Sequence, residues 1–203
     1  MKQDHPGTRP LSIGSNWSVT TSRFTVYVNG VAVTSQPINA VARLVINSLA
    51  GNDTIYVHGS ITTPIEAHGG IGNDRITGGA GNDVLFGDDF GQSGMDVIVG
   101  GSGNDVLIGG ANSDQLAGSA GHDILIGGEF MAAFDTSFAN LRSISDAWAT
   151  SGIMTPGVAS NIVDIAIDQL TGGTGRDWLL RNSVDRFLDI KREVGDMDQE
   201  TII

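Results

Sequence analysis

Aspartate recurs through the middle of this 203-residue chain at a nearly fixed interval: Asp74, Asp83, Asp96, Asp105, Asp114 and Asp123, with outliers at Asp53, Asp168 and Asp177. Most neighbours stand nine residues apart, and the step from Asp83 to Asp96 is thirteen because "DDFGQSG" carries a four-residue insertion. A single aspartate in a turn is ordinarily a solvated carboxylate, but periodic recurrence asks for a common cause. Ionised carboxylates only accept hydrogen bonds, and many oxygen donors together suit a hard divalent cation, which takes six to eight of them at about 2.3–2.6 Å. Cysteine is absent, so neither thiolate metal sites nor disulfides enter the argument.

The residues around each aspartate show how such donors would be positioned. Glycine stands two places before it at Gly51, Gly72, Gly81, Gly94, Gly103, Gly121 and Gly175, with Asn112 as stand-in at one site. Glycine, and next asparagine, tolerate positive φ, so this backbone can turn sharply and aim its carbonyls at an ion. Units usually open with a glycine pair: Gly69–Gly70, Gly78–Gly79, Gly100–Gly101, Gly109–Gly110 and Gly172–Gly173. Two places after each aspartate comes a large aliphatic, Ile55, Ile76, Leu85, Ile98, Leu107, Leu116, Leu125, Leu170 or Leu179. Each unit therefore reads as a glycine turn ending in a carboxylate, followed by three residues pointing out, in and out over about 10 Å of strand. Two units, eighteen residues, make one flattened coil, and coils stack through parallel pairing. Alternate units put Asp74, Asp96 and Asp114 on one edge and Asp83, Asp105 and Asp123 on the other, with Asp168 over Asp114 and Asp177 over Asp123. Stacked carboxylates about 5 Å apart repel by roughly 3 kcal/mol per pair at an effective dielectric of 20. Such a stack requires cations.

The units "GGAGNDVLF", "GGSGNDVLI" and "GGTGRDWLL" resemble the RTX, or haemolysin-type, nonapeptide GGxGxDxUx. The resemblance implies an all-β fold, a parallel β-roll or β-helix solenoid, in which the six turn residues bind calcium between successive turns and the last three form a short strand. Carried onto this sequence, the ligands are the carboxylates of Asp53, Asp74, Asp83, Asp96, Asp105, Asp114, Asp123, Asp168 and Asp177. With them come the turn backbone at Gly70, Gly72, Gly79, Gly81, Gly101, Gly103, Gly110, Asn112, Gly121, Gly173 and Gly175. That set would hold roughly four to six calcium ions. The match is specific over 69–128 and 172–180, degenerate over 48–68, where "GSITTPIEA" has neither glycine pair nor aspartate, and partial in "VDIAIDQLT" at 163–171. Asp88 and Ser119 replace second glycines, and the weakest sites are expected beside Asp53 and Asn112.

The flanks supply what a solenoid needs at its ends. "RFTVYVNGVAVTS" alternates around Asn29–Gly30, a hairpin signal, so residues 1–48 are expected to form an N-terminal β cap over the calcium-binding roll of 49–128. Residues 129–162 leave the repeat: "TSFANLRSISDAWAT" sets Phe138, Leu141, Ile144 (or Ser145) and Trp148 on one helical face, with Asp135 or Thr136 as cap. The expected role is a helix covering one flank, the sharper alternative a partner-binding helix. Asp123 to Asp168 is 45 residues, five units of nine, so the chain is expected to rejoin in register for final repeats at 163–180. Residues 181–203 read equally as a C-terminal cap strand or an export signal of the kind the resemblance implies.

Net charge is −12, which disfavours nucleic acid and anionic membrane as partners. No apolar run is long enough to span a membrane, and "MKQDHPGTRP" has no apolar h-region of a secretory signal. Neither HExxH nor GxSxG occurs, and His5, His58, His68 and His122 form no catalytic pattern; His122 reads as a solvated turn residue. The expectation is a non-enzymatic calcium-binding module that folds on calcium outside the cell, extracellular or at a bacterial surface. The alternatives are an adhesin-like element self-associating through solenoid ends and, behind it, the non-catalytic part of a secreted hydrolase.

Overall fold

The computed structural model describes residues 10–18, 21–28, 31–37, 41–131, 134–153, 158, 162–163, 166–181, 186–187 and 199–202. Three N-terminal strands, β1 (Pro10–Ser18), β2 (Thr21–Val28) and β3 (Val31–Pro37), form an antiparallel meander. The expected hairpin is there, with Val28 paired to Val31, although Asn29 and Gly30 themselves lie outside the described residues.

From β4 (Leu44–Asn47) onward the pairing becomes parallel. Each following coil gives one strand to each of two sheets: β5 (Thr54–Val57) and β6 (Ile65–His68), then β7 (Arg75–Thr77) and β8 (Val84–Phe86). Next come β9 (Val97–Ser102) and β10 (Val106–Ile108), then β11 (Gln115–Ala120) and β12 (Ile124–Ile126). After the excursion, β13 (Glu129–Phe130), α1 (Phe138–Ser151) and β14 (Ile162–Val163), stacking resumes with β15 (Gln169–Thr174) and β16 (Trp178–Arg181), then β17 (Arg186–Phe187) and β18 (Gln199–Ile202). One sheet runs β17-β15-β11-β9-β7-β5-β1-β2-β3 and the other β18-β16-β12-β10-β8-β6-β4. This is the parallel β-roll read from the repeat. The meander joins it edge to edge, β1 lying parallel to β5.

All nine aliphatics of the repeat enter one core between the sheets. They stack in two columns, Ile55–Ile76–Ile98–Leu116–Leu170 on one sheet and Leu85–Leu107–Leu125–Leu179 on the other, aliphatic over aliphatic at each step. The degenerate turn keeps the coil although it lacks the motif. Ala67 pairs with Leu85, so Ile65 holds the aspartate place, one residue later than "GSITTPIEA" suggests, and Ile61 fills the interior where a glycine turn would leave nothing.

The two sheets differ on their outer faces. On β7 and β11 the flanking residues Arg75, Gln115 and Ala117 stay at least partly in solvent, whereas all three residues of β8, β10 and β12 are buried. A second core explains this: Val84, Phe86, Val106, Ile108, Ile124, Ile126, Trp178 and Leu180 pack beneath Phe130, Leu141, Ile144, Trp148 and Ile162 of the excursion. The out-in-out alternation thus fails on this sheet because a helix, not water, covers it. β13 and β14 pair antiparallel, closing the excursion at its neck. The cap of α1 is Ser137, two places beyond Asp135 and one beyond Thr136: its side chain accepts the Asn140 N–H, while Asp135 accepts the Ser137 N–H at 3.0 Å. Gly152 in the left-handed region (φ 64°) ends the helix.

Leu107 is fully enclosed by neighbours above and below. Leu107→Ala is therefore expected to cost about 2–5 kcal/mol through lost transfer energy plus a cavity. Exposed Gln115→Ala should stay within about 0.5 kcal/mol. Denaturant unfolding at saturating calcium measures both, and equal effects would refute the two-column core.

Candidate metal centre

The coils are joined through their aspartates. On the edge preceding the first sheet, the amide of Asp53 donates to Asp74 Oδ1 at 2.7 Å, Asp74 to Asp96 at 2.7 Å, Asp96 to Asp114 at 2.8 Å and Asp114 to Asp168 at 2.7 Å. On the other edge Ile65 donates to Asp83, Asp83 to Asp105, Asp105 to Asp123 and Asp123 to Asp177, each at 2.8 Å. The nine repeat aspartates thus fall into two rows in the register anticipated from sequence, and all are at most 3% exposed. The thirteen-residue step at Asp96 lands in line although it is no multiple of nine, so there the amide contact rather than the spacing holds the register, and the 45-residue step at Asp168 rejoins it as well.

In the eight aspartates that follow Asp53, Oδ1 is occupied by an amide of the preceding coil, and in Asp83 the Gly79 amide also donates to Oδ2 at 2.9 Å. In Asp74, Asp96, Asp105 and Asp114 this atom is buried with no hydrogen-bond partner. It lies against the first glycine of its own unit, and a carbonyl from the next coil converges on the same spot: a Cβ on Gly100 would sit 2.5 Å from Asp105 Oδ2 and 2.8 Å from Gly118 O, and one on Gly109 2.5 Å from both Asp114 Oδ2 and Gly127 O. The first glycine is thus required by close approach. The second and fourth glycines are required by conformation, as Gly101 (φ 109°), Gly103 (φ 120°), Gly110 (φ 106°) and Gly121 (φ 143°) show. The stand-ins Asn112 (φ 74°) and Ser119 (φ 86°) hold the same left-handed backbone at some strain, whereas Gly79 and Gly81, facing the degenerate turn, do without it.

Oxygens gathered this way are electrostatically costly. Burial pushes Asp83 up to about 6, Asp96 to about 7 and Asp114 to about 9, and lifts Asp105 well above the usual carboxylate range; neighbouring carboxylates add to the last three. Burial raises Asp74 as well. The donor set is carboxylate and carbonyl oxygen, buried, acceptor-only and partly unsatisfied. It fits a hard cation such as calcium and offers little to a metal that prefers nitrogen or sulfur. Among the described residues no three His, Cys, Asp or Glu side chains converge into a cage, so an ion here would rely on backbone carbonyls beside the aspartates.

Three contributions escaped the repeat pattern. The residue before the aspartate builds a second ladder: Asn52 Oδ1 accepts from Asn73 at 3.0 Å and Asn73 from Met95 at 3.0 Å. On the other edge Asn82 accepts from Asn104 at 3.0 Å, Asn104 from His122 at 2.9 Å, and His122 Nδ1 from Arg176 at 2.9 Å. His122 is therefore a rung of this ladder rather than a solvated turn residue, and the recurrent Asn in "GND" was its signal. His58 and His68 have separate partners, Ser60 Oγ at 2.8 Å and Asp89 Oδ1 at 2.6 Å. Next, α1 brings a buried guanidinium to one row: Arg142 Nη1 donates to Asn104 O at 2.5 Å, and its charge pulls Asp83 and Asp105 back toward ionisation. Last, Asp88, in a glycine's place, is buried and pushed to about 7, chiefly by desolvation, with Asp74 and Glu129 adding repulsion.

Residues 67–89, 90–128 and 164–180 match the RTX calcium-binding nonapeptide repeat in four copies. No curated protein and no solved structure matches the chain.

The raised carboxylates fix the sign of a pH effect in the metal-free chain. Their folded values lie above the unfolded aspartate value of about 3.9, so the folded state binds more protons and its stability falls as pH rises from about 4 through 6 to 9. Metal-stripped protein should thus hold most β structure near pH 4.5 and lose it toward pH 8.5, while calcium affinity rises over the same window. Far-UV circular dichroism across that range tests this, and a flat profile would contradict it.

Proposed function

The roll of this chain is built from RTX calcium-binding nonapeptide repeats, which makes it an RTX-repeat protein; from that premise we propose that it is a non-catalytic structural module whose folding is its response to calcium outside the cell. The observation that carries this reading is the pair of buried aspartate rows in which Asp74, Asp96, Asp105 and Asp114 keep an Oδ2 without a hydrogen bond. Calcium would be held by the row aspartates and the carbonyls of the turn glycines and Asn112, in roughly four to six ions with two carboxylates apiece. We assign residues 1–48 to a β cap, 49–128 and 163–180 to the roll, 129–162 to a flank-covering excursion and 181–203 to the C-terminal end.

Extracellular calcium modules bind with Kd of about 10⁻⁴–10⁻³ M, far above the free calcium of a cytosol. Inside the cell the rows would stay unneutralised and the chain loose enough to be exported; outside, ion binding would drive folding by mass action and make passage one-way. This supports an extracellular or bacterial-surface location. End-to-end self-association is the second reading, favoured by β17 and β18 ending their sheets with outer edges that no described strand covers; size exclusion with and without calcium distinguishes it from a monomeric module.

Two measurements test the main reading. At about pH 8.5, where the row carboxylates are ionised, circular dichroism should show a largely unfolded chain in chelator and a β-rich one in millimolar calcium, and a β spectrum surviving exhaustive chelation at that pH would refute it. Asp83→Asn, Asp105→Asn and Asp123→Asn combined keep an Oδ1 for the amide of the preceding coil but remove three charges from one row. Calcium-induced folding should be abolished; folding at the parent's calcium concentration would mean that the hydrophobic stack alone carries the fold.

A further inference from the structure

The row of Asp83 begins at a turn that carries no repeat motif. The preceding coil is the degenerate "GSITTPIEA", and the amide that donates to Asp83 Oδ1 is that of Ile65, at 2.8 Å. This turn also dictates how the backbone after Gly78 lies. Ala80 N–H donates to Ile61 O at 2.6 Å, and a Cβ on Gly79 would sit 2.6 Å from the same carbonyl. Gly79 and Gly81 accordingly lack the left-handed φ that Gly101 and Gly103 adopt in the next coil of the row.

The consequence falls on Asp83. Gly79 N–H donates to its Oδ2 at 2.9 Å, so both carboxylate oxygens carry an amide, whereas Asp74, Asp96, Asp105 and Asp114 each keep an Oδ2 without a hydrogen bond. The Gly100 carbonyl still approaches that oxygen, since a Cβ on Gly78 would meet both, but here an N–H already points at it. Positive charge is supplied as well. Arg142 of α1 is 9% exposed and bonded to Asn104 O and to Ser145 Oγ at 3.2 Å. Its charge favours the ionised forms of Asp83 and Asp105 against the burial that disfavours them. Asp146 holds the other terminal nitrogen at 2.6 Å, but its side chain is 63% exposed, so water screens its opposing charge.

We propose that Asp83 is the ion-free closing residue of its row rather than a calcium ligand: the Gly79 and Ile65 amides hold its carboxylate, and Arg142 balances the charge that cations balance at Asp105 and beyond. The calcium sites of this row then start at Asp105, and the degenerate end is a step that stacks without an ion. The inference rests on the reading of the roll as calcium-binding.

A crystal structure of the calcium-loaded chain is the direct test, and it decides even where a variant does not fold. An ion is expected on Asp105 and none within about 3 Å of either Asp83 oxygen; an ion bound to Asp83 overturns the proposal. Equilibrium dialysis of the full chain asks the same in solution. Asp83→Asn should keep the parent's ion count, whereas Asp105→Asn should lose an ion or weaken one class of site by about tenfold or more, as loss of ligand charge does. Equal losses in D83N and D105N refute it. R142Q should raise the calcium concentration for half-folding about threefold, several ions sharing the linkage, and by less in D83N, where the charge to be balanced is gone. The same shift in both backgrounds would mean that Arg142 only docks the helix. A parent chain that binds no calcium refutes the roll reading itself, a result distinct from these.

Discussion

From Asp53 to Asp177 successive coils of the roll are tied by one repeated contact, a backbone amide donating to the Oδ1 of the aspartate in the next coil. That contact brings the carboxylate indoors, and the rest of the turn follows from the consequence. The first glycine has no side chain because the second carboxylate oxygen occupies the place where one would be. Most of the second and fourth glycines, Gly101 and Gly103 among them, give the backbone the left-handed bends of the turn. Ionised, the buried rows repel themselves; neutralised, by protons or by cations, they become the means by which coils adhere. Hydrophobic burial alone does not choose between these states, since the Ile and Leu columns are the same in both.

The two edges solve this problem unequally. One row runs beneath α1, which contributes Arg142, its bond to Asn104 O, and a mutual clasp in which Trp148 Nε1 donates to Arg176 O at 3.0 Å while Arg176 donates to the carbonyls of Trp148 and Ala149. Part of that row's charge is therefore offset from within the chain. Among the described residues no helix covers the opposite row, Asp88 beside it adds negative charge, and Asp114, on that side, reaches about 9.

Most of the roll was legible in the sequence because its causes are local and periodic. The aspartate, the glycines and the aliphatic each have a fixed place, and a parallel stack repeats whatever one coil does, so the pairing of Asp168 with the Asp114 coil could be foreseen across the excursion. What escaped were the features that break or double the period. The apolar outer face of β8, β10, β12 and β16 was written in "VLF", "VLI", "ILI" and "WLL" against "RIT" and "QLA", an eighteen-residue alternation invisible when every nonapeptide is treated alike. The Asn ladder was hidden because the fifth place looked variable, although Asn, Asn and His all present an acceptor at the same reach. The helix cap moved by one or two residues because Asp135, Thr136 and Ser137 are all capable, and only three-dimensional reach selects among them.

The short antiparallel neck of β13 and β14 has a bearing on how such a chain can change over time. Strand partners on either side of it stack as though nothing intervened: Gln115 lies beside Gln169 and Ile124 beside Trp178. The insertion at Asp88 is absorbed in the same way. A roll whose register is held by contacts between coils, and not by the length of chain between them, is a rack with open slots. Segments of any size can be spliced in where one coil hands over to the next, or lost again, provided their two ends emerge side by side. The outer face then becomes the variable part of the molecule, while the stacked turns beneath it stay as they were.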